Sequence, residues 1–301
     1  MSSRQSRCSE GFSLLELMVS MVVLLVVAGA AFSAMDGLSK NYGSTTLRSD
    51  MSSGVRSAAE LMTQEVGQAG SLPITPHQLT APVTGSAVTP QTVFVDSTAG
   101  MFVGQILMVD AGATQEQVQI QAIPSTISLT GIFANSHAKN APVDASGVLP
   151  QGILSTSTPT QLELIGDING DGTLVYVEYD CNPNAAGTGT LTRSITLLPA
   201  AAKNPSTVLL QNLVTNPGGL GNTCFTIPAA TAAAGFNFVP SLGVSLTVQS
   251  SARDPQSGAF QTLTKSFMNL APRNVLVGLD LAQSGVLTNR LQPTPPGVPL
   301  S

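Results

Sequence analysis

The sequence predicts an α+β protein. A long N-terminal α-helix, membrane-spanning in its first half and amphipathic in its second, packs on a mainly antiparallel β domain that carries a β-rich insertion. Three observations predict this. Residues 12–35 are apolar or small apart from one charge, Glu16, and the run exceeds the roughly 18 residues that signal a spanning helix. Residues 47–69 repeat apolar side chains at spacings of three and four. Beyond about residue 90 the chain breaks into short β-branched or alternating runs separated by Gly, Pro and Ser clusters.

The spanning segment comes first. Residues 1–10 are polar and carry Arg4 and Arg7, which predicts a cytoplasmic N-terminus and an outward C-terminus. The small residues Ala28-Gly29-Ala30-Ala31 permit a secretory-type cut after the apolar core, and an uncleaved anchor is the alternative. Glu16 is the anomaly. A charged side chain at the centre of a spanning helix costs about 2.5 to 3.5 kcal/mol on insertion scales, so such groups are usually paired and functional.

The amphipathic half follows. Leu47, Met51, Val55, Ala58, Met62, Val66 and Ala69 fall on one helical face, with Arg48, Asp50, Arg56, Glu60, Gln64 and Gln68 on the other. Gly37, Gly43 and Gly54 each cost about 1 kcal/mol relative to Ala, which marks residues 39–44 as the place for a kink or melted turn. The helix is expected to end near Gly70, with Pro73 beyond it.

The strands fall into two sets. The first, 92–96, 105–110, 116–122 and 126–129, is bracketed by the Pro-containing stretches 73–90 and 142–150 and reads as an insertion. The second comprises 161–165, 174–179, 191–197, 208–213, 236–238, 241–249 and 262–269. The expected organisation is a leader at 1–11, a spanning helix at 12–35, its amphipathic continuation at 36–70, the insertion at 71–150, the main β domain at 151–290 and a Pro-rich tail at 291–301.

Composition narrows the function classes. With a net charge of -5 and 12 basic residues that form no run, nucleic acid is not an expected partner. Charged residues are only 10% and there is no Trp, which fits an exported, strand-rich domain. Catalysis has little support. The two histidines, His77 and His137, are sixty residues apart, and neither a zinc helix nor a G-x-S-x-G elbow is present. The run Ser136-His137-Ala138-Lys139 matches S-x-x-K without the partner motifs of that chemistry. No enzyme is expected.

Gly11-Phe12-Ser13-Leu14-Leu15-Glu16, behind a short basic leader and ahead of an apolar helix, resembles the prepilin signature of type IV pilins and type II secretion pseudopilins. That resemblance implies cleavage after Gly11 by a prepilin peptidase, leaving Phe12 as a mature N-terminus whose amine is normally methylated. It also implies a partner for Glu16: the Phe12 amine of a neighbouring subunit, or its own. The alternative is a carboxylate near enough to the interface to be solvated. Later phrases, "RSAAELMTQEVGQAG", "LTRSITLL" and "APRNV", resemble the PilW-like minor pilins and the J-type pseudopilins.

The expectation is therefore a minor pilin-like structural subunit that enters or primes a type IV pilus-type filament. It would sit singly spanning in a bacterial inner membrane, N-in and C-out, before moving into a pilus or pseudopilus. Its partners would be the peptidase, the membrane and other pilin or pseudopilin subunits. A type II secretion pseudopilin and a non-polymerising, surface-binding anchor are the alternatives.

Two further readings concern the exported part. Cleavage removes Cys8 and leaves Cys181 and Cys224, an even count in an oxidising compartment. A disulfide between them, also implied by the pilin resemblance, would contribute about 3 to 4 kcal/mol in the chain-entropy account; two free thiols are the alternative. The run "DINGDGTLVYVE" fits a calcium-loop pattern with Asp167, Asn169, Asp171, Thr173 and Glu178 as ligands, and asks for no other cofactor. Its flanks are strand-like, so the competing reading is a hairpin whose acidic turn satisfies its own backbone.

Overall fold

Apolar periodicity builds the first element. In the computed structural model, which describes residues 13–73, 76–286 and 288–300, a single helix α1 runs over Leu14–Gln68. No melted turn interrupts it at residues 39–44, contrary to expectation. The glycine there serves close approach instead: a Cβ on Gly43 would stand 3.2 Å from Cγ of Pro255. The helix stops close to the predicted place, with Gly70 in the left-handed region at φ +82°. The Gly70 N–H donates to Ile165 O at 2.8 Å, while its own carbonyl accepts from Leu149 N–H at 2.8 Å. These bonds turn the chain out of the helix and into the β region.

The β elements are β1 (His77–Gln78), β2 (Gln91–Phe94), β3 (Ile106–Val109), β4 (Glu116–Gln119), β5 (Ala122–Ser125), β6 (Ser128–Gly131) and β7 (Pro142–Asp144) in the insertion. Then come β8 (Gln161–Gly166), β9 (Val175–Asn182), β10 (Gly189–Leu197), β11 (Thr207–Val214), β12 (Phe225–Thr226), β13 (Thr231–Ala233), β14 (Phe236–Phe238), β15 (Leu242–Arg253) and β16 (Phe260–Leu270). A second helix, α2 (Arg273–Ser284), follows β16.

The chain divides into two units: Met1–Asp50 with Ser250–Gln261, and Met51–Gln249 with Thr262–Ser301. In the first, α1 leaves its apolar side chains exposed, Leu25 at 71% and Phe32 at 73% among them. In the second, a sheet of order β12-β15-β11-β10-β9-β8, with β16 paired to β15, carries the remainder of α1. Met51, Val55, Ala58, Met62 and Val66 share one core with Leu162, Leu164, Val177, Tyr179, Leu191 and Leu246. Burying each of the larger apolar side chains is worth about 1.5 to 3 kcal/mol.

Strand β9 is buried on both faces. Val175, Val177 and Tyr179 point to the helix side, and Tyr176 joins a second core with Phe102, Leu149, Ile165 and Leu300. Such double coverage makes the strand nearly continuous in buried residues. The insertion has its own core, in which β1-β7-β3-β4 and β2-β6-β5 contribute Leu107, Val109, Val118, Val143, Val93 and Leu129 around Phe133. The observed class is α+β with mostly antiparallel strands.

Several features were not expected from the sequence, among them the short strands β1, β7, β12 and β13. Helix α2, with Pro272 at its N-cap and Gly285 at its left-handed C-cap, packs Val275 against Phe238 and Leu291. The C-terminal segment is also integrated: Gln292 is fully buried and brackets Ile106, accepting from its N–H at 2.8 Å and donating to its carbonyl at 2.9 Å. An amide side chain there completes the edge of β3 as a strand residue would.

Candidate assembly site

The apolar helix places Glu16 in the first turn of α1, with Val19 and Ser20 on the same face at i+3 and i+4. Its side chain is exposed, its neighbours Leu15, Leu17 and Val19 are exposed too, and among the described residues no basic group pairs with it. Ionisable groups within membrane-spanning segments are usually paired. Gly11 and Phe12, which the sequence reading assigns to cleavage and to the new amine, lie outside the described residues.

A second glutamate on α1 met a different fate. Glu65 is 4% exposed on the apolar stripe. Arg193 on β10 grips it with both ends of the guanidinium, Nη2 on Oε1 and Nε on Oε2 at 3.2 Å, and the Tyr179 hydroxyl donates to Oε2. Bidentate geometry of this kind is the strong form of a charge-assisted bond. Burial lowers the Arg193 pKa but the Glu65 bonds outweigh it, so the guanidinium is held above its ordinary value. Burial, then the Glu65 charge, pushes the Tyr179 phenol up.

The predicted calcium residues are placed as follows. Asp167 accepts from the Asp171 and Gly172 N–H groups, both at 3.1 Å, and Asp171 accepts from Thr173 N–H at 2.9 Å. The Thr173 bonds hold Asp171 below the usual carboxylate range. Asn169 is exposed at the tip. Glu178 stands away from this turn, within β9 and only 2% exposed, where Lys203 Nζ lies 2.7 Å and the Tyr176 hydroxyl 2.8 Å from its carboxylate. Burial pushes the Glu178 carboxyl up, but the bonds from Lys203 and Tyr176 outweigh it and lower its pKa. Among the described residues no three His, Cys, Asp or Glu side chains gather as a cation site.

The cysteines are joined. Cys181 on β9 and Cys224 beside β12 form a disulfide across a separation of 43 residues, and both are buried in the core beneath α1. The histidines are structural groups of the insertion. His137 is enclosed between Asp110 Oδ2 at 3.0 Å and Glu116 Oε1 at 2.6 Å, and His77 meets Asp96 at 3.2 Å. With a carboxylate on each ring nitrogen, His137 is clamped as a double donor. Desolvation lowers its pKa, but the two hydrogen bonds outweigh it, leaving His137 raised.

Residues 6–32 match the family model described as the prokaryotic N-terminal methylation motif. No curated protein and no solved structure gives a significant match. The motif, together with the long apolar helix, supports a type IV pilin-like protein. The motif implies processing by a prepilin peptidase and association with other pilin subunits, and with the apolar helix it points to membrane anchoring.

Sequence reasoning identified Glu16 because a charge in an apolar run is conspicuous. It missed Glu65, which reads as part of the polar face until its spacing from Met62, Val66 and Ala69 is noticed. Both are glutamates of one helix. Only one has its counter-ion within this chain's described residues.

Proposed function

We propose that the chain is a minor pilin-like structural subunit that enters or primes a type IV pilus-type filament after a prepilin peptidase cuts behind Gly11. The observation that carries this reading is Glu16: an exposed carboxylate on an apolar helix, with no basic partner among the described residues, four residues past the Phe12 that cleavage would make the N-terminus. Cleavage supplies the missing cation. The Phe12 amine of an adjacent subunit then neutralises Glu16 as the helices exchange lipid for one another, and attraction in a medium of low dielectric is far stronger than in water. The subunit would begin singly spanning in the bacterial inner membrane, N-in and C-out, and finish in the filament. The β region, with its added insertion, is bulky for an abundant repeating subunit, which favours a minor or tip position.

The test replaces Glu16 with Ala in cells that assemble filaments. The account expects Glu16→Ala to be processed and held in the membrane while disappearing from the sheared filament fraction. Normal incorporation of Glu16→Ala would remove charge pairing from the mechanism. A pseudopilin of a type II secretion system would respond to Glu16→Ala in the same way, and a secretion assay in a deletion strain separates the two.

A further inference from the structure

The turn between β15 and β16 is tied to α1 just beyond its apolar run. Within that unit, Gln256 Nε2 bonds Asn41 Oδ1, Gln261 Nε2 donates to Ser44 Oγ at 2.8 Å, and Pro255 covers Gly43. Asn41 lies six residues past Met35, the last residue of the apolar run. A helix rises 1.5 Å per residue, so the attachment is about 9 Å beyond the end of that run. The polar layer on each side of a bilayer's roughly 30 Å hydrocarbon core is about 5 to 8 Å thick. The turn is therefore held at the level where headgroups meet water.

The chemistry of its surface suits that level. Arg253 is exposed and its guanidinium carbon lies 5.0 Å from the centroid of the Phe260 ring, which is itself 43% exposed. The acid of the turn is withdrawn: Asp254 is 7% exposed and accepts from Gln256 N–H at 3.1 Å and from Ser257 Oγ at 2.8 Å. Those bonds lower the Asp254 pKa. What remains exposed over residues 251–260 is small, polar or aromatic, with Arg253 as its one charge. On α1 itself, Tyr42 is 77% exposed at the same height. Aromatic rings and basic side chains are the groups that settle at a membrane–water interface, and basic ones favour anionic lipids.

We propose that residues 253–260, with Tyr42, form a foot that rests on anionic lipid headgroups where α1 leaves the bilayer. This rests on the membrane-anchored reading and adds a second contact to it. The bond from Gln261 to Ser44 and the cover over Gly43 make the foot and the helix exit one fixture.

The chain has no Trp, so one introduced indole reports alone. Full-length Phe260→Trp and Phe32→Trp proteins would be placed separately in vesicles of phosphatidylglycerol and phosphatidylcholine containing lipids brominated either near the headgroup or along the tail. The expected result is that Phe32→Trp loses emission to tail bromines, and Phe260→Trp loses emission to the shallow bromines with a blue-shifted maximum. The Phe260→Trp signal should weaken in phosphatidylcholine alone and on adding Arg253→Glu. Quenching of Phe32→Trp without quenching of Phe260→Trp overturns the foot and leaves the anchor standing, as does a Phe260→Trp blue shift that appears only when subunits associate. Absence of quenching in both proteins overturns the anchor and the foot together.

Discussion

Glu16 and Glu65 stand on one helix and illustrate two ways of carrying a charge on an apolar surface. Glu65 is buried against a sheet of the same chain, and Arg193 and Tyr179 saturate its carboxylate. Glu16 is exposed on a face lined by Leu15 and Val19, with no basic partner among the described residues. The first arrangement is complete within the fold and holds the helix to the sheet. The second has no counter-ion among the described residues, and the proposed function supplies one from an adjacent subunit. The internal ion pair is tested by stability, and the proposed role of Glu16 is tested by assembly.

The contrast can be broken at Glu65 first. Glu65→Ala leaves Arg193 and Tyr179 without their acceptor, and loss of one partner of a buried pair costs about 3 to 5 kcal/mol. Denaturant unfolding of the detergent-solubilised full chain should show that loss in the midpoint, whereas Glu16→Ala should leave the same transition in place. Replacing Cys181 and Cys224 by Ser tests the same core without touching charge. Opening the 43-residue loop is expected to cost about 3 to 4 kcal/mol, read as a lower unfolding temperature.

The insertion offers a pH-dependent comparison. His137 has its folded pKa raised, because hydrogen bonds to Asp110 and Glu116 outweigh desolvation. Its contribution is therefore fully present below the unfolded value near 6.5 and is lost as pH rises through the folded value. Asp110 has the opposite sign. The His137 hydrogen bond lowers its pKa, so its contribution is present above the unfolded carboxylate range and is lost as pH falls through the lowered value. Hydrogen exchange of the Ala134 and Asn135 amides, which donate to Glu116 at 2.8 and 3.1 Å, should show protection falling on the alkaline side. His137→Asn should flatten that limb. The smallest effect belongs to Glu60→Ala. Its 3.7 Å pair with Arg56 is exposed, and such i,i+4 pairs are worth about 0.3 to 0.5 kcal/mol. A loss as large as that of Glu65→Ala would erase the distinction between the two faces of α1.

What was legible in the sequence follows from periodicity. Met51, Val55, Ala58, Met62 and Val66 repeat with the helix, and all are buried. The longer strands of both β regions were marked by alternation and by their turns, whereas the short strands β1, β7, β12 and β13 were not. What was missed depended on distant partners. Arg193 is 128 residues from Glu65, and nothing local announces their pairing. The melted turn expected at residues 39–44 is absent, and Gly43 instead leaves room for Pro255 from the hairpin turn. Helix α2 was not expected, although Pro272 at its start and Gly285 at its end were usable signals. Glu178 matched the spacing of a calcium loop, but strand geometry aims it at Lys203 and Tyr176. Spacing alone does not specify direction.

The central claim is that Glu16 awaits an amine which exists only after the chain is cut. Mass spectrometry of the N-terminal peptide, from native protein in cells with an active prepilin peptidase, addresses it most directly. The account expects a chain that starts at Phe12 with a methylated amine. A chain that still carries Gly11 and the residues before it would contradict the account.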